Sequence, residues 1–264
     1  MDWASGPAAA IRRARLLALI TGLLGTAGLS LAGCTSSSSS PSPGSSPGTA
    51  TASASPGLSV PGTHQATVRY QISAPVSTVV IVSHVGTVTV DGGSGPAVSV
   101  TQHVYYSKTP PVTTRTVSGT TLTVTYHCPA QLVCGVAYTL AVPRSVTVRV
   151  TAGAGAVRLT GLAGSVTAKA NAGVIDATGL TSASVSLTTR VGGISASFTA
   201  APTTVQASAN VGAIIVHVPG TASYKVAANA RVGKTTISAP QSASSGHAIT
   251  ASTDVGAIVV APST

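Results

Sequence analysis

From Val166 to Ala177 the chain reads VTAKANAGVIDA, with small residues at positions 1, 3, 5 and 7 and mostly polar ones at 2, 4 and 6. After the glycine at position 8 the apolar positions become 10 and 12, so the parity switches. Alternation with period two predicts a strand with one buried face. A straight strand cannot exchange its faces midway. The glycine therefore marks a bend, where a residue without Cβ permits unusual dihedrals or close packing.

The unit recurs as VSLTTRVGGISA from Val185, VQASANVGAIIV from Val205, VAANARVGKTTI from Val226 and ITASTDVGAIVV from Ile249. An irregular copy, with two extra residues near the glycine, starts at Val146, and an outlying copy starts at Val79. Successive starts from Val146 lie 20, 19, 20, 21 and 23 residues apart. A near-constant period of this size predicts an all-β fold, a parallel β-solenoid of right-handed β-helix type. Each copy is then one rung of two short strands, bent at Gly86, Gly173, Gly192, Gly212, Gly233 or Gly256. A β-sandwich is the competing reading, since regular short strands also suggest one.

Residues 98–142 lack this register and alternate like hairpins, so 64–145 is expected to be a β-hairpin-rich N-terminal part and 146–264 the repeat region. Cys128 and Cys134 sit between two alternating runs. Pairing these as an antiparallel hairpin sets Tyr126 against Val136, Val124 against Tyr138 and Leu122 against Leu140. The same register brings the two cysteines within disulfide reach. A free thiol pair or a metal site is the alternative.

Composition adds an address. Only 7% of residues are charged and 3% aromatic, so stability must come from stacking small and β-branched side chains. Arg12, Arg13 and Arg15 precede an apolar run from Leu16 to Gly33, the pattern of an export signal. An uncleaved anchor is the alternative, because the run is just long enough to span a bilayer. Residues Leu31-Ala32-Gly33-Cys34 resemble the lipobox of bacterial lipoproteins. That resemblance implies cleavage before Cys34, a diacylglyceryl group on its sulfur, and residence at the extracytoplasmic face of the cell membrane. Residues 34–63 are rich in Ser, Pro and Gly and read as a flexible tether.

Over roughly Gln65 to Val260 the repeat pattern resembles the bacterial putative-adhesin domain, a family of β-strand repeats without an assigned function. The resemblance implies a non-catalytic envelope protein, either an adhesin-like scaffold or binding domain or an envelope-stress sensor. Relatives often carry an acid just after the rung glycine, where this chain has Val174, Gly193, Ala213, Lys234 and Ala257. No role of such acids carries over.

A β-helix carbohydrate-active enzyme is the catalytic alternative. From Cys34 onward the chain holds only Asp91, Asp176 and Asp254 as acids, and no Glu. Stacked in chain order, the last two fall four rungs apart, about 19 Å. Glycoside hydrolysis needs two carboxyls within about 9.5 Å. His64, His84, His103, His127, His217 and His247 show no short metal-ligand spacing, so neither metal nor cofactor is expected.

The segment from Cys34 keeps eleven Lys and Arg against three Asp, a formal +8. Arg149, Arg158, Lys169, Arg190, Arg231 and Lys234 fall on the regular repeats. They suit an anionic cell-wall polymer, phospholipid headgroups or an acidic envelope protein, or simply keep the surface soluble. Nucleic acid is not expected, given the few aromatic platforms. Position 6 reads Thr151, Asn171, Arg190, Asn210, Arg231 and Asp254 down the stack. If rungs stack in chain order, Asn210 separates Arg190 from Arg231, and Arg231 pairs with Asp254.

Overall fold

The structure, a computed structural model, describes residues 64–129 and 133–263. The lipobox residues Leu31, Ala32, Gly33 and Cys34 and the tether lie outside the described residues. The described residues form strands and no helix. The first seven strands are β1 (His64–Ile72), β2 (Thr78–Val85), β3 (Val88–Gly93), β4 (Val98–Tyr106), β5 (Val112–Ser118), β6 (Thr121–His127) and β7 (Cys134–Pro143). Then each repeat gives a pair: β8 (Thr147–Ala154) and β9 (Val157–Thr160), β10 (Val166–Ala172) and β11 (Ile175–Leu180), β12 (Ser184–Val191) and β13 (Ile194–Phe198). The last pairs are β14 (Thr204–Val211) and β15 (Ile214–Val218), β16 (Lys225–Val232) and β17 (Thr235–Ile237), and β18 (Ala248–Val255) and β19 (Ile258–Pro262).

Two sheets result. Nine strands run in the order β5-β6-β2-β8-β10-β12-β14-β18-β16, and ten in the order β1-β4-β7-β3-β9-β11-β13-β15-β19-β17. Every repeat places its first strand in the nine-stranded sheet and its second in the ten-stranded one. Repeats pair in parallel, residue for residue: Val166 opposite Val185, Val185 opposite Val205, Val205 opposite Ile249. Positions 1, 3, 5, 10 and 12 of the Val185 rung, Val185, Leu187, Thr189, Ile194 and Ala196, are all buried. The core therefore lies between the sheets.

The structure corrects four expectations. The copy assigned to Val146 aligns from Val148, which pairs with Val166, and needs no extra residues. Its corner glycine is Gly155, and Thr151 moves to position 4, opposite Lys169. Position 7 faces solvent, as Val191, Val211, Val232 and Val255 show. The bend begins at position 6, so two consecutive side chains point outward before the glycine.

The predicted hairpin of Leu122 with Leu140 does not form, because β6 and β7 lie in different sheets. β6 pairs in parallel with β2, and β7 in parallel with β3, so together they make a rung. The antiparallel partners in this part are β5 with β6, β1 with β4 and β4 with β7. Strands from both sides of residue 145 share both sheets, through β2 with β8 and β3 with β9.

Finally, the rungs do not stack in chain order. At one end the Leu122 rung lies outside the Val79 rung, which contacts Val148 directly. At the other end β18 and β19 insert between the Val205 and Val226 rungs. The rung latest in sequence is therefore internal, and the Val226 rung closes the stack.

Candidate functional site

The rung corners fix everything outside them. Gly86, Gly155, Gly173, Gly192, Gly212, Gly233 and Gly256 all have φ between 134° and 151°. That region is strained for any L side chain. A Cβ on Gly192 would also strike the Gly173 carbonyl oxygen, one on Gly212 that of Gly192, and one on Gly256 that of Gly212. These glycines are needed twice over, for the bend and for the approach of the neighbouring rung. Their backbones continue the ladder, with Gly173 N–H donating to Val191 O (2.9 Å) and Gly192 N–H to Val211 O (2.8 Å). Inward hydroxyls use the same carbonyls: Thr189 Oγ1 donates to Gly173 O (3.2 Å) and Thr253 Oγ1 to Gly212 O (3.1 Å).

The Leu122 rung has no corner glycine. The Val136 carbonyl takes that place beside Gly86, and the segment between Cys128 and Val136 is inserted at the corner. Cys128 and Cys134 close this insertion with a disulfide, Cα to Cα 6.0 Å. The bond was legible; the hairpin was not.

A rigid corner gives a regular outer face. Down position 6 of the nine-stranded sheet the register now reads Gly153, Asn171, Arg190, Asn210, Asp254, Arg231. Arg231 and Asp254 are neighbours and form an ion pair, Nη2 to Oδ1 3.2 Å. Arg190 is separated from Arg231 by Asn210 and Asp254 together, so the adjacency stands although the order differs.

Charge is unequal between the sheets. Strands of the nine-stranded sheet carry Arg115, Arg149, Lys169, Arg190, Lys225 and Arg231 against Asp254, a formal +5. Those of the ten-stranded sheet carry Arg69 and Arg158 against Asp91 and Asp176, and so balance. Lys234 sits at a corner, between β16 and β17.

The acids stay apart. Asp91 pairs with Thr160 and Thr160 with Thr178, so Asp176 is two strands and two residues from Asp91. Strand spacing and rise put their Cα atoms about 12 Å apart. Asp254 lies in the other sheet, three rungs from Asp176 rather than four, because its rung is internal. The histidines serve locally: His64 stacks on Tyr106 with centroids 5.2 Å apart, and His247 Nδ1 donates to Pro202 O (2.8 Å). Among the described residues no three His, Cys, Asp or Glu side chains gather.

One concave feature escaped the sequence reading. At the Leu122 end, Val68, Tyr70, Gln102, Thr113, Thr114 and Arg115 line a cleft of about 250 Å³. The Arg115 guanidinium lies over the Tyr70 ring (4.5 Å), and buried Gln102 donates its amide to Tyr70 Oη (2.9 Å). Burial raises the Tyr70 pKa, partly offset by the Arg115 charge and this hydrogen bond. Arg115 faces inward at an edge strand, a placement that discourages further strand pairing.

No family model matches the chain. No curated protein matches it either. Among solved structures, a putative cell adhesion protein from Clostridium sporogenes ATCC 15579 is similar at 12% identity, with TM-score 0.45, over 76% of this chain and 100% of that one. A putative adhesin from Bacteroides fragilis NCTC 9343 is similar at 14% identity, with TM-score 0.35, over 75% of this chain and 97% of that one.

Proposed function

We propose that the chain is a lipid-anchored, extracytoplasmic, adhesin-like scaffold without catalytic activity, built as one parallel β-solenoid. Its nine-stranded sheet would be presented to an anionic partner in the cell envelope. The observation that carries this reading is the charge segregation: with Arg115 turned inward, the outward positions of the nine-stranded sheet keep five cations against Asp254, a formal +4, while the strands of the other sheet sum to zero. Parallel, in-phase pairing of successive repeats supports treating them as coils. The spread of the three acids supports a non-catalytic role, since Asp91 and Asp176 stand on non-adjacent strands and Asp254 lies in the other sheet.

The anchor rests on Leu31-Ala32-Gly33-Cys34. Cys34→Ala is expected to release the protein to the medium or leave an uncleaved precursor, read by fractionation and mass. Normal processing with unchanged membrane retention would contradict the anchor.

A further inference from the structure

Three cations of the nine-stranded sheet fall on one diagonal, the third where the bend begins. Arg149, Lys169 and Arg190 occupy outward positions 2, 4 and 6 of three successive rungs. Arg149 lies across from Thr167, and Lys169 is two residues further along that strand. Lys169 in turn lies across from Thr188, and Arg190 is two residues further along again. Each step crosses one strand spacing of about 4.8 Å and a rise of about 6.6 Å, so successive Cα atoms stand about 8 Å apart. All three side chains are exposed. None shares in the Arg231–Asp254 ion pair. Asp254 is the acid on this face, two strands from Arg190.

We infer that this diagonal is a binding track for a linear polyanion, with one anionic group of the polymer over each cation. The inference rests on the proposed anionic partner and deepens it by assigning the residues and the geometry. Hydroxyls flank the line at every step: Thr151 and Thr167 beside the first gap, Thr188 beside the second. They supply donors and acceptors between the charges. The parallel ladder holds the spacing, so the track needs no rearrangement to accept an extended chain. A compact anion covers one cation at most and gains little from an exposed contact. A polymer gains from three at once through effective concentration.

The probe is a linear poly(glycerol phosphate), with glycerol phosphate monomer and vesicles containing anionic lipid as comparisons, titrated with the full chain at low salt. The triple variant Arg149→Gln, Lys169→Gln, Arg190→Gln is set against a charge-matched control, Arg69→Gln, Arg144→Gln, Arg158→Gln, whose cations lie elsewhere on the surface. The track predicts polymer binding without monomer binding. It also predicts a loss of about tenfold or more in the track variant, the sum of three exposed pairs, and little change in the control. The slope of log affinity against log salt should fall by about two to three in the track variant only. Equal losses in both variants would reduce the effect to net charge and overturn the track. Binding to vesicles but not to polymer would overturn it in favour of a lipid surface. Neither result touches the Cys34 anchor, which is read by fractionation.

Discussion

The two ends of the stack are closed by different means. At the Leu122 end, antiparallel strands cover the edges: β5 on one sheet, β4 and β1 on the other. The corner there is an insertion held by Cys128–Cys134. At the Val226 end no strand among the described residues covers β16 or β17, and the protection comes from order. The Ile249 rung, with Ile249, Ala251, Thr253, Ile258 and Val260 buried, is placed inside. The weaker Val226 rung, whose Val226, Ala228, Ala230 and Ile237 are only half-buried, is left outside. One end is sealed by covalent and antiparallel devices, the other by spending its poorest rung at the surface. The shared consequence is that both outermost rungs lie within the sequence, not at its extremities.

The largest effect should follow from removing residues 247–264. Deletion takes both partners of the Val226 rung, since β16 pairs only with β18 and β17 only with β19. Amides of Lys225–Val232 should then exchange at unfolded-chain rates, measured by hydrogen exchange, while the Val148 to Val185 rungs stay protected. Retained protection of β16 would mean that it can pair directly with β14.

Between the ends, the corner glycines should dominate. Gly192→Ala combines a strained φ of 136° with a Cβ against the Gly173 carbonyl, and should cost about 3–5 kcal/mol in denaturant titration. Gly193→Ala, one residue on, meets only Ala213 O at 3.4 Å, and other rungs carry Ala213 and Ala257 there. It should be neutral or stabilising by up to about 1 kcal/mol. Similar losses for both would remove the corner argument.

The disulfide end should respond less. Cys128→Ser with Cys134→Ser opens a short loop, worth about 2 kcal/mol on the chain-entropy account. The loss should be confined to the Leu122 rung and its antiparallel cover, and unchanged exchange there would mean that the insertion needs no clip.

Smaller still is Tyr138, a buried hydroxyl at the same end without a hydrogen-bond partner. Tyr138→Phe should stabilise by up to about 1 kcal/mol at neutral pH. Burial raises the Tyr138 pKa well above the usual 10, with the nearby Tyr70 and Tyr126 adding to it. The phenol ionises more readily in the unfolded chain, so stability falls as pH rises past 10 towards the folded value. The Phe variant should lose less stability than the parent between pH 9 and pH 11, read by thermal melts.

Much of this was written in the sequence, and the failures have physical causes. The period and the parity switch located Gly173, Gly192, Gly212, Gly233 and Gly256, because at these rungs a positive φ coincides with a neighbouring carbonyl where a Cβ would stand. An alignment anchored on glycine could not find the Leu122 rung, whose corner is Val136 after an insertion. Order was illegible because the Val226 and Ile249 rungs offer the same strand pattern to a neighbour. The signal was present in side-chain size, Ile249, Thr253 and Ile258 against Val226, Ala230 and Thr235, and in the long segment between β17 and β18 that allows the return. The basic track was hidden for a simpler reason. Arg149, Lys169 and Arg190 align only after the first regular rung is shifted by two residues.

Repeats stack in phase with the Ile249 rung inserted between the Val205 and Val226 rungs, and position 4 offers the sharpest check. Ser208 and Ser252 are register partners, with Ser252 Oγ donating to Ser208 Oγ (3.3 Å), whereas Asn229 neighbours Ser252 and not Ser208. Disulfide trapping of the double variants Ser208→Cys with Ser252→Cys and Ser208→Cys with Asn229→Cys, mapped by peptide mass analysis, should cross-link the first pair and not the second. Efficient cross-linking of Ser208→Cys with Asn229→Cys, and none with Ser252→Cys, would mean that the rungs follow chain order and that the insertion is wrong.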